Sequence, residues 1–159
     1  MADDLFITAT DKEEKYKQLL PQIEALLTSE DDTVANMANV CAALKYGLNF
    51  FWVGFYLVKN NQLVLGPFQG PVACTRINNG KGVCGAAWQK AQTLIVPNVD
   101  EFEGHIACSS LTKSEIVIPI RDKSKNIIGV LDVDSDELNC FDTIDEKYLK
   151  EILNLLSFN

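Results

Sequence analysis

The hydrophobic positions of the first fifty residues recur at helical spacing. Apolar side chains lie three or four positions apart between Tyr16 and Leu27, which predicts a first helix. The T-x-x-E sequence from Thr10 to Glu13 predicts a capping box at its start. Pro21 should kink or restart this helix, because proline lacks the N–H that the helix needs.

A second amphipathic segment follows. It should start near Asp31 or Asp32, and Gly47 is the expected C-terminal stop. Four apolar positions are expected to share its buried face: Val34, Ala38, Cys41 and Leu44.

Beyond residue 50 the hydrophobic period changes from helical to two. The segment from Phe50 to Val58 is rich in aromatic and β-branched residues and predicts a strand, which returns from Gln62 to Phe68 as a hairpin. Trp52, Gly54 and Tyr56 share one face of the first strand. We interpret this face as a pocket wall in which Gly54 leaves room for a ligand, although two aromatics that merely alternate in a sheet would give the same pattern.

The second half of the chain predicts two irregular stretches, a second hairpin and a closing helix. The predicted elements are a long loop at 71–85, a short helix at 85–91, a short strand at 93–96, a second irregular stretch at 98–113, strands at 114–121 and 127–134, and an amphipathic helix at 142–158. Hairpins imply an antiparallel sheet that the amphipathic helices must cover. We therefore predict a single α+β domain over residues 1–159, with helices on one sheet face and a loop-covered ligand pocket on the other.

Charge and cysteine content narrow the function classes. The formal net charge of −8 argues against nucleic acid or an anionic membrane as the main partner. The N-terminus is acidic and lacks the features of a signal peptide, so we expect a cytoplasmic protein. In a reducing compartment the five cysteines should be free, catalytic or metal-binding. No C-x-x-C pair occurs and His105 is the single histidine, so we predict neither a metal site nor a cofactor.

The stretch from Gly104 to Pro119 combines a thiol with an acid. Cys108 lies in a small-residue loop, seven positions before Glu115 at the start of an apolar strand. A loop thiol can be reached by a small substrate, and thiolate access governs cysteine reactivity. A small buried hydrophobe is the alternative role for this cysteine.

Two further carboxyl groups share a strand face. Asp132 and Asp134 point to the same side because strand side chains alternate. Two like charges side by side destabilise a sheet unless a cation lies between them. A bound ammonium or metal would explain the pair, and a solvated strand end is the alternative.

Six segments together resemble the small GAF-fold enzymes that reduce free methionine-(R)-sulfoxide. The resemblance covers nearly the whole chain from about residue 8. The segments are WVGFY (52–56), GPFQGPVACTRI (66–77), GKGVCG (80–85), HIACSS (105–110), SEIVIPI (114–120) and GVLDVDS (129–135).

The resemblance implies a reaction for three of the cysteines. Cys108 attacks the sulfoxide sulfur and becomes a sulfenic acid. Cys74 is the first choice for the resolving cysteine and Cys84 the second, and thioredoxin would reopen the resulting disulfide. The resemblance gives Cys41 and Cys140 no role.

The resemblance also implies a substrate pocket. Its residues would be Trp52, Tyr56, Glu115, Asp132, Asp134, Ile106 and Ala107. Glu115 would polarise or protonate the sulfoxide oxygen, and the two aspartates would hold the ammonium group. The two aromatics would enclose the terminal methyl group, and backbone amides near Ile106 would hold the carboxylate.

Two other readings stay open at this point. One is a non-catalytic GAF domain that binds a small ligand, and the other is a redox-sensing domain in which the cysteines are the whole mechanism. The apolar N-terminal helices could pack a homodimer or cover their own sheet.

Overall fold

The computed structural model describes residues 4–158, which form four α-helices and one six-stranded sheet. The helices are α1 (Lys12–Leu27), α2 (Thr33–Leu48), α3 (Gly82–Lys90) and α4 (Thr143–Asn154). The strands are β1 (Trp52–Lys59), β2 (Gln62–Gln69), β3 (Arg76–Asn78), β4 (Leu94–Val96), β5 (Ser114–Arg121) and β6 (Ile127–Ser135). Among the described residues no helix has the length and apolar character needed to cross a membrane.

The sheet has the strand order β3-β2-β1-β6-β5-β4, and every neighbouring pair is antiparallel. Both predicted hairpins, β1–β2 and β5–β6, are confirmed. The two hairpins join where β1 pairs with β6, a contact between segments about eighty residues apart in sequence. The predicted α+β architecture with a central antiparallel sheet is therefore confirmed.

Helices α1, α2 and α4 cover one face of the sheet and form the larger core with it. The second face carries a smaller apolar cluster that includes Trp52, Tyr56 and residues of α3. The N-terminal helices thus pack against their own sheet, because their apolar faces have strand residues to bury against. Helix α3 lies on the second face, beside the loops that border the pocket.

The start and course of α1 differ from the prediction. Asp11, and not Thr10, is the N-cap, and its side chain accepts a hydrogen bond from the amide of Glu14. The helix also continues through Pro21 without a restart. Burial of the apolar face of α1, which includes Leu19 and Ile23, compensates for the hydrogen bond that Pro21 cannot donate.

The boundaries and buried face of α2 are partly as predicted. Asp32 is the N-cap, as expected, but the helix passes Gly47 and ends at Leu48, and the φ of 58° at the C-cap Asn49 places that residue in the left-handed region. Gly47 instead gives space to α1, because a Cβ there would lie 3.0 Å from Leu19 Cδ1. The predicted buried face is shifted: its apolar members are Met37, Val40, Cys41, Ala43 and Leu44, whereas Val34 and Ala38 are exposed.

Candidate active site

The register of the central strands places the polar residues of the pocket in one row. Trp52 of β1 lies opposite Asp134 of β6, and Asp134 lies opposite Glu115 of β5. One step along the sheet, Gly54 lies opposite Asp132. Directly opposed residues share a sheet face, so all five positions face the same side, away from the larger core.

Trp52 and Tyr56 of β1 line this side and also hold the neighbouring loop. The indole Nε1 of Trp52 donates to the Pro71 carbonyl at 3.0 Å, and the Tyr56 hydroxyl donates to the Cys74 carbonyl at 2.8 Å. The rings are stacked, with centroids 6.1 Å apart. These contacts fix the loop that carries Cys74 against the pocket wall.

Gly54 has a different role from the one predicted. A Cβ at this position would lie 2.5 Å from both Phe68 Cβ and the Cη2 atom of Trp52. Gly70, whose φ is +136°, borders the same indole, where a Cβ would lie 2.6 Å from Trp52 Cδ1. The missing side chains therefore make room for the Trp52 ring, and not for a ligand at the backbone.

A pocket with a cavity volume of about 50 Å³ lies beside this row. Eight of the residues singled out in the sequence contribute to its lining: Trp52, Tyr56, Cys84, Ile106, Cys108, Glu115, Asp132 and Asp134. Ala107 is exposed and is not part of the wall. Cys74 does not line the pocket either, but it is bonded to Cys108, which does.

The sequence analysis missed several wall residues, among them Phe51, Lys81 and Thr112. Phe51 precedes β1, which begins at Trp52, so the alternation of strand side chains does not predict its direction. Lys81 precedes α3 in a segment that was read as loop. No motif marked Thr112, whose place in the wall follows from the fold of the 98–113 stretch.

The cysteines fall into two environments. Cys74 and Cys108 form a disulfide, with their Cα atoms 5.4 Å apart. Cys84 lies inside α3 and is buried, and not in a loop as predicted. Its Sγ atom lies 3.9 Å from Glu115 Oε1, and burial raises the pKa of this thiol well above its ordinary value.

The three carboxyl groups lie in an environment that disfavours their charge. Glu115 and Asp132 are each 6 % exposed, and Asp134 is half-buried. Burial raises the pKa of Asp132 to about 6, and burial together with the neighbouring aspartates raises the pKa of Glu115 well above its usual range. The pKa of Asp134 is raised for the same reasons. Asp132 is therefore not part of a solvated strand end.

One oxygen atom of this cluster has no partner. Asp132 Oδ1 is buried and makes no hydrogen bond with any part of the chain that the structure describes. None of the ion pairs found among residues 4–158 involves the three carboxyl groups. A buried acceptor without a donor is costly, so the pocket is suited to a ligand that brings a positive charge or N–H groups.

The loop opposite the carboxyl groups offers amide donors. The amide of Cys108 donates to the Ile106 carbonyl at 3.1 Å and is therefore occupied. The amides of Ile106 and Ala107 donate no hydrogen bond to any described residue. His105 also lines the pocket, and desolvation lowers its pKa, so it is neutral at pH 7.

A metal site was not predicted, yet three possible ligand atoms converge. The Sγ atom of Cys84 and one carboxylate oxygen each from Glu115 and Asp132 lie within 4.8 Å of one another. All three residues are buried. The sheet register and α3 bring them together from positions 84, 115 and 132.

Comparisons of this chain with known proteins identify its family. A family model described as GAF domain matches residues 28–159. The chain is 68% identical to GAF domain-containing protein A of Dictyostelium discoideum, over 98% of this chain and 99% of that protein. It is 43% identical to the free methionine-R-sulfoxide reductase of Escherichia coli, over 89% of this chain and 86% of that protein.

A solved structure of similar fold carries a ligand. The free methionine-R-sulfoxide reductase of Neisseria meningitidis, in complex with its substrate, superposes with a TM-score of 0.94 at 51% identity, covering 98% of this chain and 93% of that one. The chain belongs to the GAF domain family, in the group that includes the free methionine-R-sulfoxide reductases.

Proposed function

We propose that the protein reduces free L-methionine-(R)-sulfoxide to methionine with Cys108 as the nucleophile. The observation that carries this proposal is one pocket lined by both Cys108 and the buried acid Glu115, with Cys74 within bonding distance of Cys108. A sulfoxide needs both groups, since its sulfur accepts a thiolate while its oxygen accepts a proton. The similarity to named reductases supports the same reaction.

The first step transfers oxygen from the substrate to the enzyme. In the reduced enzyme the Cys108 thiolate attacks the sulfoxide sulfur, and the oxygen takes a proton from Glu115. The oxygen passes from the substrate sulfur to the Cys108 sulfur, so the substrate S–O bond and the new bond between the two sulfur atoms both break. Methionine leaves, and Cys108 becomes a sulfenic acid. The raised pKa of Glu115 suits this role, because the group then holds its proton at neutral pH.

The second step forms the disulfide seen in the structure. The Cys74 thiol attacks the Cys108 sulfenic sulfur and water leaves, so that two electrons have passed from the two thiols to the substrate. A dithiol reductant must then reopen the bond, and we propose thioredoxin for this step. Cys84 is a poor resolving residue because it is buried in α3 and its thiol pKa is raised.

Selectivity for the free amino acid would follow from both ends of the pocket. We assign the ammonium group to Asp132 and Asp134, since Asp132 Oδ1 otherwise lacks a donor. The carboxylate would take the free amides of Ile106 and Ala107. The methyl group on sulfur would pack against Trp52 and Tyr56.

Initial rates with four substrates test this assignment: free and N-acetylated methionine sulfoxide, each as the R and S epimer. Only the free R form should be a good substrate. Acetylation removes the charge that the aspartates bind, and an unpaired buried charge costs about 3–5 kcal/mol, or more than a hundredfold in rate at low substrate concentration. Inversion at sulfur turns the oxygen away from Glu115.

A folded Cys108→Ser protein should be inactive toward all four compounds, because a hydroxyl is a far weaker nucleophile than a thiolate. Equal rates for the acetylated and free R forms would contradict the ammonium site. Turnover by the Cys108→Ser protein would contradict the reaction itself, as expected for a domain that only binds a ligand.

A further inference from the structure

Cys84 is a buried thiol that the proposed reaction does not use. It lies in the first turn of α3 and lines the pocket, whereas Cys108 is bonded to Cys74. Its side chain contacts Glu115, with 3.9 Å between Sγ and Oε1. A thiol held against two carboxyl groups is an unusual pairing, because burial and the two carboxylates both raise the pKa of the Cys84 thiol.

The same three side chains have the arrangement of a partial metal site. Their ligand atoms lie within 4.8 Å of one another, and all line the pocket. Bonds of about 2.0–2.3 Å from zinc to oxygen and sulfur put tetrahedral ligand atoms roughly 3.3–3.8 Å apart, so small side-chain rotations would close the site. Asp132 Oδ1, which is buried and has no hydrogen-bond partner among the described residues, supplies a separate sign of a missing cation.

We propose that Cys84, Glu115 and Asp132 bind a thiophilic divalent cation of the Zn²⁺ type, and that this cation competes with the substrate. One thiolate and two carboxylates suit zinc, whereas Mg²⁺ and Ca²⁺ prefer shells made of oxygen alone. Three protein ligands leave a fourth position for water. Binding displaces protons from the thiol and the carboxyl groups, so the affinity rises with pH.

Competition follows from shared atoms. The substrate ammonium and the cation would both use Asp132, and Glu115 cannot protonate the sulfoxide oxygen while it binds a metal. This part of the inference rests on the proposed function, whereas cation binding itself does not.

The binding test uses the oxidised protein, in which the disulfide removes Cys74 and Cys108 as competing ligands. Cd²⁺ serves as the probe, because its bond to a thiolate gives an ultraviolet charge-transfer band. We expect a saturable band with one equivalent of Cd²⁺, which Zn²⁺ removes and Mg²⁺ does not. Absence of the band, or its persistence in Cys84→Ser, overturns the proposal.

Two further variants keep the test informative if Cys84→Ser folds poorly. Asp132→Asn retains the thiol and should weaken Cd²⁺ binding by about tenfold or more, because an amide oxygen is a poorer ligand than a carboxylate. Cys140→Ser is the matched control, since it removes a free thiol that does not line this pocket and should leave the band unchanged. Equal affinity in Asp132→Asn and the unmodified protein overturns the site.

An activity assay then tests the competition separately. Zn²⁺ should raise the KM for methionine sulfoxide without lowering kcat, and a chelator should reverse the effect. A protein that binds Cd²⁺ but has no reductase activity would refute the proposed function and leave the metal site standing. Inhibition that persists in Asp132→Asn with an unchanged inhibition constant would refute competition at this site.

Discussion

At the scale of single residues, Cys74 and Cys84 differ in surroundings although both lie close to the pocket. Cys74 lies in the loop held by Trp52 and Tyr56 and is bonded to Cys108. Cys84 lies in the interior of α3, where burial disfavours its thiolate. Only Cys74 therefore has both the access and the position that attack on a sulfenic acid requires.

Substitution of Cys74 should separate the two chemical steps. A Cys74→Ser protein should release about one equivalent of methionine per site in a single turnover and then recycle poorly with thioredoxin. Methionine release and disulfide content, measured by mass spectrometry, check this outcome. Cys140→Ser is the control and should turn over normally, whereas rapid recycling by Cys74→Ser would show that another thiol resolves the sulfenic acid.

The hydroxyl of Tyr56 should position Cys74 for the second step. Tyr56→Phe keeps the ring in the pocket wall but removes the hydrogen bond to the Cys74 carbonyl. A hydrogen bond of this kind contributes about 0.5–1.5 kcal/mol, so disulfide formation should slow by up to roughly tenfold. Rapid-mixing measurements should show nearly unchanged methionine release in the first turnover, and slowing of that first step instead would indicate a role in substrate binding.

At the scale of elements, strands β5 and β6 hold carboxyl groups that folding makes less acidic. Asp132 takes up protons on folding, because its pKa rises from 3.8 to about 6. Between these values the folded state binds more protons than the unfolded state, so this group makes the protein less stable as the pH rises. The contribution of Asp132 to stability is fully present below pH 3.8, and it is lost as the pH rises through about 6, the pKa of this group in the folded state.

Asp132→Asn should remove this dependence on pH. The difference in free energy of unfolding between the Asp132→Asn protein and the unmodified protein should grow in favour of the variant as the pH rises. The change should be on the order of 1–3 kcal/mol between about pH 4 and about pH 8. Chemical denaturation without substrate, across this range, gives the comparison. A stability difference that stays constant with pH would mean that Asp132 has the same pKa in the folded and unfolded states.

At the scale of the whole molecule, a buried polar cluster joins the two ends of the chain. Asp145 of α4 is 1 % exposed and accepts hydrogen bonds from the Tyr16 hydroxyl at 2.6 Å and from Lys12 Nζ at 2.7 Å. It also accepts from the amide of Asp142 and completes the capping box of α4. Helices α1 and α4 are therefore held together at their N-terminal ends.

Loss of this cluster should destabilise the whole fold. Asp145→Ala leaves the buried Tyr16 hydroxyl without its partner and removes one of three acceptors from Lys12, and removal of one side of a buried pair costs about 3–5 kcal/mol. Glu146→Gln is the matched control from the same helical turn, since its more exposed pair with Lys150 is worth less than about 1 kcal/mol. Urea denaturation measures both, and equal losses would contradict the role of Asp145.

The assembly and location of the protein stay predictions at this scale. Helices α1 and α2 pack on their own sheet, so the larger core does not need a second copy to cover it. Size-exclusion chromatography with light scattering would test the homodimer. The cytoplasmic location rests on the acidic N-terminal sequence alone.

The sequence by itself determined the elements and the chemistry they carry. Period-two patterns predicted β1, β2, β5 and β6 because strand side chains alternate between a core and a pocket, and helical spacing predicted α1, α2 and α4 because each buries one face. The six matching segments also identified the reductase family, whereas Cys108 as the nucleophile stays a prediction. These inferences succeed because they depend on local spacing or on residue identity.

The tertiary structure alone decided which residues meet. The pairing of β1 with β6 put Trp52, Asp134 and Glu115 in one row, and no local pattern specifies pairing between segments so far apart. The extension of α3 to Gly82 moved Cys84 from a loop into the interior, because packing against the second sheet face outweighs the weak helix preference of its glycines. Gly54 likewise acquired its role from the Trp52 ring that lies across it, a contact that only the folded chain creates.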